Sequence, residues 1–212
     1  MRAWLMRKGN KGTILWLAGA LLIFICGGPL PKSAPPDSFA YPSEPSGPPE
    51  RFPAFTLPAP KSDAERAYLG LSGTGAFATG QIKAQVLIIE AFGAFCPHCH
   101  HAAPYVNEVY GAIEARPDLK DHVKIIGVGM RSTPFEVNLF KEKFHVPFPL
   151  FADKDMAVEK LLSIDTTPTF IGVKMNKDGT RERFYFRRGS FESSSQFLSE
   201  LITLSGITQE AK

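Results

Sequence analysis

From about residue 61 onward, short apolar runs alternate with segments of helical spacing. Ala84–Phe92 (AQVLIIEAF) is β-branched and almost continuously apolar, which predicts a strand buried on both faces. Pro97–Arg116 follows with a helical pattern, and His122–Met130 reads as a second buried strand. Thr133, Pro134 and Glu136 form a capping box with proline at the first helical position, so a helix is expected from there toward His145. Phe148–Phe151 reads as a short strand and Asp155–Ser163 as a short helix. Thr169–Met175 and Arg181–Arg187 flank Asn176-Lys177-Asp178-Gly179, the composition of a hairpin turn. A last helix, from about Glu192 to Ser205, stops at Gly206. Alternating strands and helices, then a hairpin and a closing helix, predict an α/β sandwich.

The first sixty residues break that rhythm. Gly12 to Pro31 is a run of 20 residues without a charge, and Arg2, Arg7, Lys8 and Lys11 all precede it. A positive flank stays cytoplasmic, so the remainder is expected to be carried across a membrane. Residues 1–30 are therefore read as a signal-anchor or a signal peptide. The length of the run and the poor cleavage site at Ser38-Phe39-Ala40 favour the uncleaved anchor. Cys26 lies in a loose likeness of a lipoprotein box, with Ile25 where a small residue is wanted; a plain apolar thiol is the simpler reading. Residues 29 to 60 hold 11 of the 18 prolines, which fix φ and remove donors. Residues 31–51 are thus expected to be a semi-extended linker and 52–212 the folded domain.

Composition narrows the function. The chain is 44% apolar and 21% charged, a globular balance. Its net charge of +3 comes from 24 basic against 21 acidic residues, and without the four leader cations the count is about even. A nucleic-acid binder would concentrate basic residues on its folded part, so nucleic acid is not expected as a partner. Three cysteines are too few for a disulfide-stapled scaffold, and two of them, Cys96 and Cys99, are three positions apart.

Cys96-Pro97-His98-Cys99 sits where the first buried strand gives way to its helix. A thiol at a helix N-terminus is stabilised as thiolate by unpaired amides and the helix dipole, and thiolate is the reactive form. Cys99, one turn on, is placed to close a short disulfide or to resolve a mixed one. His98, between them, offers positive charge or a hydrogen bond to the Cys96 thiolate. Other chemistries fit the same letters. Cys96 to His100 satisfies the Cys-x-x-Cys-His signature of covalent c-type haem attachment. The thiols with His100 or His101 offer ligands for zinc or copper, although adjacent histidines on a helix diverge by about 100°. A binding module with incidental cysteines is a third possibility.

Taken together, these features resemble the thioredoxin-like thiol-disulfide oxidoreductases, and most closely their membrane-tethered extracytoplasmic branch of TlpA- and ResA-like proteins. Phe95-Cys96-Pro97-His98-Cys99 matches the active-site motif, with Phe95 where most relatives have tryptophan. Glu90 stands where the family has a buried carboxylate that relays a proton to the inner cysteine. Pro104 matches the proline that kinks the active-site helix. Thr166-Thr167-Pro168-Thr169, before a strand, matches the cis-proline loop that binds the substrate backbone. The resemblance implies a thioredoxin-like three-layer sandwich with a central mixed sheet flanked by helices. It makes Cys96, Cys99 and Glu90 catalytic, Pro97 and His98 modulators of activity, and Thr167, Pro168 and Phe95 substrate contacts. It implies no metal and no cofactor beyond a redox-active Cys96–Cys99 disulfide. Partners would be protein thiols or disulfides, apocytochrome c among them, and a membrane electron donor or acceptor. The domain would face the periplasm or cell exterior, or be secreted. Likeness to tethered reductases favours electron delivery, whereas Pro97-His98, shared with DsbA-like proteins, points toward oxidation. A peroxidase of the peroxiredoxin type would share the fold, but Gly93 occupies the place of its threonine, three residues before the cysteine.

Overall fold

The computed structural model describes residues 50–207. The expected leader, Cys26 and all but the last two linker residues lie outside them. Val86–Phe92 (β4) forms the centre of a six-stranded sheet because all seven of its residues are buried. Val123–Met130 (β5) pairs with it in parallel and Thr169–Met175 (β7) antiparallel. Leu150–Asp153 (β6) closes one side of the sheet, and Arg181–Arg188 (β8) lies beyond β7. The outermost strand is Glu50–Arg51 (β1), antiparallel to β8, so the sheet takes up the chain two residues before the boundary expected at residue 52. Thr56–Leu57 (β2) and Phe77–Ala78 (β3) make a separate small antiparallel pair.

Alternation along β4 divides the core. Val86, Ile88 and Phe92 pack with Pro97–Glu114 (α2), Pro134–Phe144 (α3) and Ser194–Ser205 (α5). Leu87, Ile89 and Ala91 face Asp63–Leu69 (α1), Ala157–Leu162 (α4) and the β2–β3 pair. The result is the expected three-layer thioredoxin-like sandwich, with a mixed sheet between helical layers. Local chemistry sets most helix ends. Thr133 and Glu136 make the capping box that opens α3. Ser193 rather than Glu192 caps α5, because its hydroxyl accepts the Gln196 N–H. Gly206 closes α5 at φ 70°. The β7–β8 turn is closed by Asn176 N–H donating to the Thr180 carbonyl at 2.9 Å, with Gly179 at φ 84°.

Candidate active site

The carboxyl end of β4 runs through Gly93-Ala94-Phe95 into α2, and this turn positions the cysteine pair. Cys96 is the N-cap of α2, in an extended backbone conformation, with Pro97 at the first helical position. Its thiol donates to the Thr167 carbonyl at 3.3 Å. Partial burial works to raise the Cys96 pKa. Hydrogen bonds from the Thr167 hydroxyl, the Cys99 thiol and the Cys99 and His98 backbones outweigh it, leaving Cys96 below the ordinary thiol value. Cys99 is the opposite case: it has no exposed surface, and burial drives its pKa far upward. The Gly93 N–H, 3.4 Å from Cys99 Sγ, lowers it only in part, and the neighbouring Cys96 and Glu90 raise it further.

Glu90 lies in mid-strand, 2% exposed, on the face of β4 that carries Val86, Ile88 and Phe92 and that packs with Cys99. Desolvation raises its carboxyl from 4.5 to about 8, and Oε1 has no hydrogen-bond partner among the described residues. The Thr167–Pro168 peptide is cis, and Pro168 is buried beside β7. Thr169 Oγ1 donating to the Thr166 carbonyl at 2.8 Å and Gly189 N–H donating to the Pro168 carbonyl at 2.8 Å fix this loop. Phe95 stays 69% exposed, and Pro97 and His98 are also at the surface. Pro104 lies within α2.

Further residues support the turn, Ser132 without any signal in the sequence and His100 and Gly93 in roles other than those the sequence suggested. Ser132 Oγ accepts the Ala94 N–H at 3.3 Å, and His100 Nε2 donates to the Ala94 carbonyl at 2.8 Å. Both backbone groups of Ala94 are thereby held from outside the turn. His100 also packs against the rings of Phe140 and Phe144, whereas His101 turns to Tyr105. A Cβ placed on Gly93 would lie 3.2 Å from the Cys96 Cβ and 3.4 Å from Thr167 Oγ1, so any side chain here would press on the reactive cysteine.

The sequence profile of the AhpC/TSA family matches residues 49–187. The chain belongs to the AhpC/TSA family. Within the wider relatives of this AhpC/TSA protein, it is 24% identical over 91 residues to the thiol-disulfide oxidoreductase ResA of Halalkalibacterium halodurans, covering 43% of this chain and 49% of that one. ResA of Bacillus cereus is 27% identical over 99 residues, covering 46% of this chain and 53% of that one. The chain spans about half the length of the curated relatives it matches. Among solved structures, the thioredoxin domain of a thiol-disulfide oxidoreductase from Bacteroides vulgatus superposes with a TM-score of 0.51 at 14% identity, covering 74% of this chain and 96% of that one. The thioredoxin-like fold of the AhpC/TSA chain is thus shared with solved structures of low sequence identity.

Proposed function

We propose that the domain exchanges disulfides with protein thiols outside the cytoplasmic membrane, as a reductase. The observation that carries this reading is the opposed state of two thiols one helical turn apart, Cys96 accessible and acidified, Cys99 buried and kept protonated. The Cys96 thiolate attacks one sulfur of a substrate disulfide, and the other sulfur leaves as a thiolate, giving a mixed disulfide. Cys99 passes its proton to the Glu90 carboxylate and attacks the Cys96 sulfur. The partner leaves as its second thiolate, and a Cys96–Cys99 disulfide remains. Two electrons reach the substrate, and an upstream membrane donor must restore the dithiol. No cofactor beyond this disulfide takes part. Thr167, Pro168 and Phe95 border the accessible sulfur and hold the substrate chain; Pro97 and His98 tune the thiolate.

The likeness to ResA supports electron delivery, with apocytochrome c cysteines as a fitting substrate, and the basic-then-apolar leader supports an anchored, outward-facing domain. Haem attachment would need both sulfurs to reach vinyl groups, and Cys99 has no exposed surface. A metal site would need the thiols with His100 or His101, and His100 Nε2 is engaged by Ala94 while the His101 ring packs against Tyr105. A peroxidase would need threonine at Gly93, where even a Cβ is crowded. Measuring the Cys96–Cys99 potential tests direction: a reductase requires a value well below that of DsbA, about −120 mV, and a result near that figure would make the protein an oxidant. Insulin reduction should vanish in Cys96→Ser, and survival of turnover would overturn the enzyme reading.

A further inference from the structure

A cleft of about 260 Å³ opens beside the reactive cysteine, lined by Gly93 and Thr167, both of which approach Cys96. Its floor is Met130 and Ile164, 5% and 7% exposed, which belong to the core on the face of the sheet away from α2. One wall is Arg131. Its Nε lies 3.0 Å from both Glu159 oxygens and its Nη2 2.6 Å from Oε1, so the guanidinium plane is fixed while the side chain stays 71% exposed. A second part of the lining carries Asp165, paired with Arg188 at 2.9 and 3.1 Å. Each therefore presents a compensated ion pair.

The wall is built at a conformational cost. Arg131 is held at φ 54°, and its N–H donates to the Asp153 carbonyl at 3.1 Å. Asp153, buried, accepts the N–H groups of Val158 and Glu159 and so orients the Glu159 end of α4. Met156 and Ser163, which bracket α4, also have positive φ, at 59° and 53°. Of the three, Arg131 lines the cleft, and a non-glycine residue held at positive φ persists only where the surroundings over-determine it.

We infer that this cleft takes an aromatic side chain flanking the reactive cysteine of the substrate polypeptide, an assignment that rests on the thiol-disulfide reading above. Size, shape and charge agree. A cavity of about 150 Å³ already accepts benzene, so this cleft has room for a phenylalanine or tyrosine ring. The fixed guanidinium face suits stacking on a ring, and the Met130 thioether suits its edge. A free carboxylate would meet Glu159 and Asp165, and a free cation would meet Arg131.

The test compares disulfide-bridged peptides that differ only in phenylalanine or alanine next to the cysteine, on either side, as substrates of the full chain. The ratio of kcat/KM for the aromatic over the alanine peptide should be about tenfold in the wild type, the size of a stacked cation and ring with some apolar burial. It should fall to about twofold in Arg131→Ala, and also in Arg131→Lys, which keeps the charge but loses the plane. Equal turnover of both peptides by the wild type, or a ratio untouched in both variants, overturns the subsite while leaving the oxidoreductase intact. Turnover of neither peptide overturns both.

Discussion

Replacing Glu90 by glutamine removes one ionisable group from the core and should change how stability depends on pH. Burial lifts the carboxyl from 4.5 to about 8 in the folded protein. Between those values the unfolded chain has released its proton while the folded one keeps it, so this group makes stability fall as pH rises through that window. At about 1.4 kcal/mol per unit, the loss approaches roughly 5 kcal/mol above pH 8 and is about 3 kcal/mol at pH 7. Glutamine carries no such dependence, but leaves a buried amide without partners at a pH-independent cost of about 1–3 kcal/mol. Glu90→Gln should therefore be less stable than the wild type near pH 5 and more stable near pH 9. Urea unfolding at unit pH steps, with the thiols kept reduced, reads this directly. Cys96 titrates in both proteins and cancels in the difference, while Cys99, whose pKa burial holds far up, stays protonated across this range. Two stability curves that stay parallel from pH 5 to 9 would refute the reasoning, since the carboxyl could not then be desolvated as described. The same substitution removes the proton acceptor proposed for Cys99, so on that reading resolution of the mixed disulfide should rise with pH toward 8 in the wild type and lose that rise in the variant.

Thr167→Val deletes a hydroxyl that stabilises the Cys96 thiolate; the midpoint of iodoacetamide alkylation against pH should move upward and the rate at pH 7 should drop several-fold, and an unmoved midpoint would deny Thr167 that role. Tyr68→Phe takes away the oxygen that accepts the Ile125 N–H at 2.8 Å. Ile125 is fully buried, so the orphaned donor should cost about 1–3 kcal/mol in the urea midpoint, and an unchanged midpoint would contradict the bond.

Burial on both faces makes a strand legible, and that is why β4 and β5 stood out as unbroken apolar runs while β1, β2 and β3 did not. These are two residues each, too short for any periodicity to develop. Helix α1 was equally hidden, although Ser62 caps it and Gly70 ends it at φ 67°. Phe148 lies between Pro147 and Pro149, which delays β6 until Leu150. At the site, Cys96, Cys99, Glu90 and Pro168 sit in motifs whose local spacing carries the chemistry. Ser132 meets Ala94 across 38 residues and Arg131 meets Glu159 across 28, so only the packing of β5 against its neighbours brings them into reach. Local sequence names the reacting atoms, whereas the residues that fix and flank them are assembled by topology.

In the proposed exchange, the order of the two sulfur steps follows from where a single helix begins and where it is buried. Strand β4 is buried to its end, and the turn through Gly93-Ala94-Phe95 brings the chain out to the partly exposed Cys96 at the N-cap of α2, where the amides at the helix start favour the anion on it. One turn later the helix packs on the face of the sheet, and Cys99 lies in the same layer as Glu90. A partner therefore reaches Cys96 first, and Cys99 acts only on a disulfide that Cys96 has already brought to it. Exchanging the roles would demand that a residue with no exposed surface meet a macromolecule, which the packing of α2 on β4 forbids without opening the core.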